Sequence, residues 1–342
     1  VTVRSTRSIA GLVFASAVLF WGCGGGDGPD GTAGGALGLS GWDGSGVLVI
    51  DGALVFTSPI SDPIPDGVVV VSDGRIEAVG ERGDVFIPQG ARRVSGAGAS
   101  LMAGFWDAHV RLDPALLEEA ADPFSASDDI EAWFRENITG FGFTGIVDTG
   151  TPLEEIQPLL DRMQVERLRG PRILATGGAT LEGVRVAGAD RERWADDALA
   201  GLLLSEATFV PAFSLLLPPG DASDIEINAA LDELAQLQRR LGAFVASDGR
   251  MAFGSGFGWG ASQDPILEME LVEESGIGFA ALLASLTTEP VLRFGYDDRG
   301  EVEPGMVADL VLVDGDPRVD LSAMERVRWV LRDGVPIYGT VR

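Results

Sequence analysis

The chain has 342 residues, with 52 acidic side chains against 25 basic ones and a formal charge of −27. Every basic residue is an arginine; there is no lysine, and the one histidine is His109. This balance argues against a nucleic-acid partner, whose phosphates need clustered positive charge, and against docking on anionic lipid through a basic face.

At the N-terminus, Arg4 and Arg7 precede an apolar run from Ile9 to Trp21. That run is short for a bilayer span and matches the apolar region of a signal peptide. Gly22-Cys23 follows, then Gly24-Gly25-Gly26. A small residue, a cysteine and a flexible tether resemble a bacterial lipoprotein signal over residues 1–23, with lipid attached to Cys23. That reading implies export, a membrane partner reached through the lipid, and a place in the cell envelope. An ordinary secretory signal with an incidental cysteine is the alternative. Cys23 is the sole cysteine, so no intramolecular disulfide can form. Residues 24–45 are rich in Gly, Asp and Ser and read as a linker with nothing to bury.

Short strands are then expected over 46–50, 54–57, 67–72 and 75–79. Val68 to Val71 are β-branched, and Asp73-Gly74 is a two-residue hairpin signal. The far end repeats this pattern, with strands over 308–313 and 327–332 and a second turn at Asp333-Gly334. Residues 46–100 and 296–342 together predict a small β-sandwich built from both ends. Between them, residues 101–295 alternate apolar strands with helical periodicity, which implies a parallel sheet. The expected strands are 104–109, 144–147, 172–175, 208–213 and 251–255. Ser127 is the expected N-cap of a helix over 128–137. Ile227, Leu231, Leu234, Leu237 and Leu241 form one apolar stripe whose expected role is core packing. Helices are also expected over 265–274 and 279–286.

Five stretches, among them Gly170 to Ala175 as the third barrel strand, are similar to landmarks of the amidohydrolase superfamily, closest to its imidazolonepropionase-like and prolidase-like members. Asp73 to Gly80 resembles the N-terminal hairpin. Leu101 to Leu112, with Asp107-Ala108-His109-Val110-Arg111, resembles the first barrel strand. Gly142 to Gly150 resembles the second. Asp298 to Asp314 resembles the return to the sandwich, and it is the longest of these matches. The resemblance implies a (β/α)8 TIM-like barrel, one or two divalent metals such as Zn2+, and hydrolysis of C–N bonds in peptides or cyclic amides.

The ligands that the resemblance implies are mostly missing. His109 matches the first histidine of strand one, and Arg111 stands where the second belongs. No lysine is available for carboxylation, and no other histidine remains. Gly256 occupies the place of the strand-eight aspartate. Hydrolytic zinc needs three protein ligands and an open position for water, so tight zinc binding is not expected. Asp107 and Asp148 remain at family positions near strand ends. Arg111 is expected either to pair with one of them or to point into solvent. His109 with Asp107, Asp148 and water could instead serve a hard cation.

Length points the same way. From Thr151 through Arg250 there are 100 residues, where five strand–helix units and a helix would need roughly 165 at about 30 per unit. An incomplete or distorted barrel is expected. Three roles compete: a hydrolase of altered mechanism, a non-catalytic protein holding a small molecule in the remnant pocket, and a product without activity.

Overall fold

The computed structural model describes residues 39, 41–179, 181–260 and 264–339. The expected signal segment, Cys23 and most of the expected linker lie outside them. In chain order the strands are β1 (Val47–Val55), β2 (Ile64–Ser72), β3 (Arg75–Glu81), β4 (Arg92–Ser95), β5 (Ala99–Ala103), β6 (Phe105–Val110), β7 (Phe143–Asp148), β8 (Arg172–Ala175), β9 (Val184–Val186), β10 (Thr208–Val210), β11 (Leu310–Asp314), β12 (Val327–Arg332) and β13 (Val335–Tyr338). The helices are α1 (Pro114–Ala121), α2 (Ser127–Asn137), α3 (Leu153–Val165), α4 (Asp196–Ser205), α5 (Asp224–Ala246), α6 (Pro265–Glu273), α7 (Phe279–Leu286) and α8 (Thr288–Arg293). No helix among the described residues is long and apolar enough to cross a membrane.

The two ends of the chain share one eight-stranded sheet, ordered β13-β12-β11-β5-β1-β2-β3 with β4 on β1. Alternation explains how it joins the rest. On β11, Leu310 and Leu312 face a core made by the sheet itself, while Val311 and Val313 belong to the larger core shared with the helices. Both expected hairpins form. Asp73, Gly74, Asp333 and Gly334 all have positive φ, between +49° and +76°, as a primed two-residue turn requires. The two turns abut: a Cβ on Gly74 would lie 2.7 Å from the Asp333 carbonyl oxygen. Ala308 ties them, donating its N–H to Gly74 O and accepting from Gly334 N–H.

Residues 39 and 41–45 depart from the linker expectation. Leu39 and Trp42 are buried in the sheet core, and the Trp42 indole N–H donates to Gly334 O at 3.0 Å. A large indole next to the Asp333-Gly334 turn finds both apolar cover and an acceptor.

The middle of the chain brings together six strand segments. β6, β7 and β8 pair in parallel, as do β9 and β10. The stretch from Met251 runs between the two groups: Ala252 N–H donates to Phe209 O, and Ala108 N–H donates to Phe253 O. The arc is therefore β8-β7-β6-(251–257)-β10-β9, and no pairing joins β8 to β9 among the described residues. Only two strand–helix units, β9–α4 and β10–α5, lie between β8 and residue 251, in line with the shortfall in length.

Three local expectations are corrected. Ala126, not Ser127, is the N-cap residue of α2, and the Ser127 hydroxyl donates instead to Glu166. The expected strand over 208–213 stops at Val210, because Ala212 takes a left-handed conformation and Phe213 opens a short 3-10 turn. On α5, Leu234, Leu237 and Leu241 are buried, whereas Ile227 and Leu231 are only half-buried. This long helix projects its first turns, capped by the Ser223–Glu226 box, beyond the core.

Candidate functional site

The remnants of the expected site gather where β6, β7 and the 251–257 stretch end. β6 does not deliver them as a regular strand would. Asp107 lies opposite Ile146 and Val110 opposite Asp148, so Ala108 and His109 together face the single residue Val147. Such a bulge re-aims the side chains beyond it. The Asp107 carboxylate stabilises it by accepting the His109 backbone N–H at 3.0 Å, and it also accepts the Ser255 N–H at 3.0 Å.

Asp148 is used up in the same manner. Its two oxygens accept the N–H groups of Leu112 (2.8 Å), Thr151 (2.7 Å) and Gly150 (3.1 Å), and the Thr151 hydroxyl at 2.8 Å. Both carboxylates are buried, and both act as local clamps on the backbone.

His109 is buried, and its Nδ1 lies 2.8 Å from the Thr149 hydroxyl. Its ring stacks on the Trp259 indole, centroids 5.4 Å apart and planes 13° from parallel. Burial, then the positive charge of Arg193, push its pKa down to about 4, so the imidazole is neutral near pH 7. Arg111 lies past the end of β6 and is exposed. Among the described residues it pairs with neither Asp107 nor Asp148. Those carboxylates already hold backbone donors, and the guanidinium carbon instead sits 5.6 Å from the Trp259 ring centroid.

Gly256 has φ +69°, and a Cβ there would lie 2.9 Å from both Cγ and Cδ2 of Leu215. Leu215 thus fills the space that an aspartate side chain would enter. Around it the surrounding glycines make turns, with Trp259 N–H donating to Gly256 O at 3.0 Å.

One member of this region escaped the sequence reading. Glu268, on α6, is fully buried and accepts the N–H groups of Phe213 (2.8 Å) and Ser214 (2.6 Å). The Ser214 hydroxyl in turn donates to Ser255 O at 2.6 Å. Burial raises the Glu268 pKa to about 8 and that of Asp107 to about 6, against the pull of their hydrogen bonds. The available signal was the composition of α6. It is apolar at Ile266, Leu267, Met269, Leu271 and Val272, but Glu270 lies in the same run and is only half-buried, so composition alone does not single out Glu268.

These groups do not fit a divalent ion. Among the described residues no three His, Cys, Asp or Glu side chains are grouped to hold one. One imidazole is present, the two nearby carboxylates accept amide donors, and position 256 is closed to a side chain by Leu215.

Comparison with known proteins places this geometry in context. A protein of Bifidobacterium longum assigned as a prolidase superposes over 86% of this chain and 96% of its own, with a TM-score of 0.65 and 18% identity. A Xaa-Pro dipeptidase with bound methionine covers 85% of this chain and 99% of its own, at a TM-score of 0.65 and 16% identity. The ochratoxinase of A. niger covers 86% and 96%, at 0.62 and 14%. The chain has the amidohydrolase fold. In sequence, it is 39% identical over 75 residues to an adenine deaminase of Deinococcus deserti, a stretch that is 22% of this chain and 13% of that protein. No family model matches. The resemblance read from Leu101 to Leu112 and from Asp298 to Asp314 is thus borne out in the fold. The amidohydrolase fold is carried here with a strand-one end rebuilt around amide-bound carboxylates.

Proposed function

We propose that this chain descends from the amidohydrolases, hydrolases of C–N bonds, and that its own barrel end has lost the metal-dependent reaction. In this reading the six-strand arc is the remnant of a (β/α)8 barrel, and the curled sheet from both ends is the composite sandwich. The observation that carries the proposal is the engagement of Asp107 Oδ1 and of both Asp148 oxygens by backbone N–H groups, beside a single imidazole. Freeing either carboxylate for a cation would orphan buried amide donors, at about 1–3 kcal/mol for each. A hydrolytic ion needs three such ligands and a water.

Two roles then remain, a non-catalytic protein that binds a small molecule and a product without activity. Neither a nucleic-acid partner nor tight Zn2+ binding is part of the proposal. Export and a lipid anchor on Cys23 are; their support is the order of charged, apolar and Gly-Cys segments in residues 1–23. Labelled palmitate incorporated by the full-length chain and lost in Cys23→Ser tests the anchor.

The hydrolytic part is tested by assaying dipeptides and N-acyl amino acids with added Zn2+ or Mn2+. No turnover above buffer is expected. Turnover that His109→Ala abolishes would restore the chain to the working hydrolases.

A further inference from the structure

Beside the end of β6 lies a cleft of about 560 Å³, lined by Arg111, Leu112, Asp113, Pro114, Asn137, Phe257 and Gly258. Asp107, His109 and Asp148 are not part of its lining. Its one cation is Arg111, which among the described residues meets no carboxylate.

The surroundings hold this guanidinium in place. Its face is set over the Trp259 indole, which itself stacks on buried His109. Its aliphatic stem packs where Gly150 has no side chain: a Cβ there would lie 3.0 Å from the Arg111 Cγ and Cδ and 2.5 Å from the Trp259 Cζ2. Gly258, at φ +76°, lets the chain pass so close that a Cβ would lie 2.0 Å from the Arg111 carbonyl oxygen. An arginine whose stem and one face are packed has less freedom to lose when its N–H edge meets an anion. Two other polar side chains line the cleft, each with a hydrogen-bond partner on the backbone. Asn137 donates from Nδ2 to Trp133 O, and Asp113 accepts the Ala115 N–H as the cap of α1. Leu112, Pro114 and Phe257 supply apolar wall.

We propose that this cleft binds a small organic carboxylate, with Arg111 as the anchor for its charge and the apolar wall covering its body. A planar carboxylate matches the fork of guanidinium donors. The site lies beside the barrel end, so the proposal stands whether or not the metal-free reading above holds.

Calorimetric titration of the full chain with benzoate, backed by thermal shift, tests it. Wild type is expected to bind benzoate saturably. Arg111→Met, which keeps the stem and removes the charge, is expected to weaken binding by about tenfold or more, the share of one charge-assisted contact. Arg185→Met, in a cleft elsewhere, is expected to bind as wild type does, and benzamide, neutral and of the same shape, is expected not to bind. The proposal is overturned if wild type does not bind benzoate or if Arg111→Met binds it equally. It is likewise overturned if Arg185→Met loses as much affinity, or if benzamide or inorganic phosphate binds as tightly.

Discussion

Placing an aspartate at position 256 should damage this protein. In Gly256→Asp three costs act together. The backbone sits at φ +69°, where a side chain costs about 1–2 kcal/mol, less for Asp than for most. The new Cβ would start 2.9 Å from two atoms of Leu215, an overlap of the kind that costs about 1–3 kcal/mol in a packed interior. The carboxylate would also enter a buried region in which neighbouring donors are already taken, at about 1–3 kcal/mol. The expected loss is about 3 kcal/mol or more, a large part of an ordinary folding stability. Urea denaturation followed by circular dichroism measures it. Gly256→Ala separates the first two costs from the third and should lose about 2 kcal/mol. Adding Leu215→Ala to Gly256→Asp should recover the overlap share, read as a favourable coupling in a double-mutant cycle. If Gly256→Asp lay within about 0.5 kcal/mol of wild type, the range of a neutral substitution, the position would be open and the reasoning wrong.

The buried carboxyl of Glu268 should make the fold less stable as pH rises. Its folded pKa is pushed up to about 8 from an ordinary 4.5, so the unfolded chain releases this proton first. Its stabilisation is complete below about pH 4.5 and is lost as pH rises to about 8. Between about pH 7.5 and 8.5, Asp107, with a folded value of about 6, and His109, which titrates at 6.5 when unfolded and at about 4 when folded, add little to the slope. Urea midpoints across that interval should fall in wild type, by at most about 1.4 kcal/mol per unit, and stay flat in Glu268→Gln. Arg299 and Asp309 form a buried pair, Nη1 to Oδ2 2.6 Å. Arg299→Met strands the Asp309 charge and should cost about 3–5 kcal/mol in the same denaturation assay. Trp42→Ala empties a buried site and frees the Gly334 acceptor; a loss of about 3 kcal/mol is expected, and a melting point equal to wild type would return residues 39 and 41–45 to the linker.

Much of the fold was legible because it rests on local rules. The Asp73-Gly74 and Asp333-Gly334 turns, the strands expected over 308–313 and 327–332, and the length deficit between Thr151 and Arg250 all read through to the structure. The site was legible in its inventory but not in its arrangement. One histidine, and a glycine at 256 where the resemblance implies an aspartate, can be read from a sequence. That Asp107 and Asp148 turn to backbone amides, so that Arg111 swings out onto Trp259, depends on a bulge at Ala108-His109 that no periodicity announces. The burial of Leu39 and Trp42 escaped for a related reason, since their Gly-rich setting conceals two large apolar side chains that find cover only through the distant turn at Gly334.

The most direct test is the zinc affinity of the full chain, measured at neutral pH by competition with a chromophoric chelator. The account predicts that the chelator keeps its metal at every protein concentration and that His109→Ala behaves as wild type. One zinc withdrawn per chain, and returned to the chelator in His109→Ala, would contradict it.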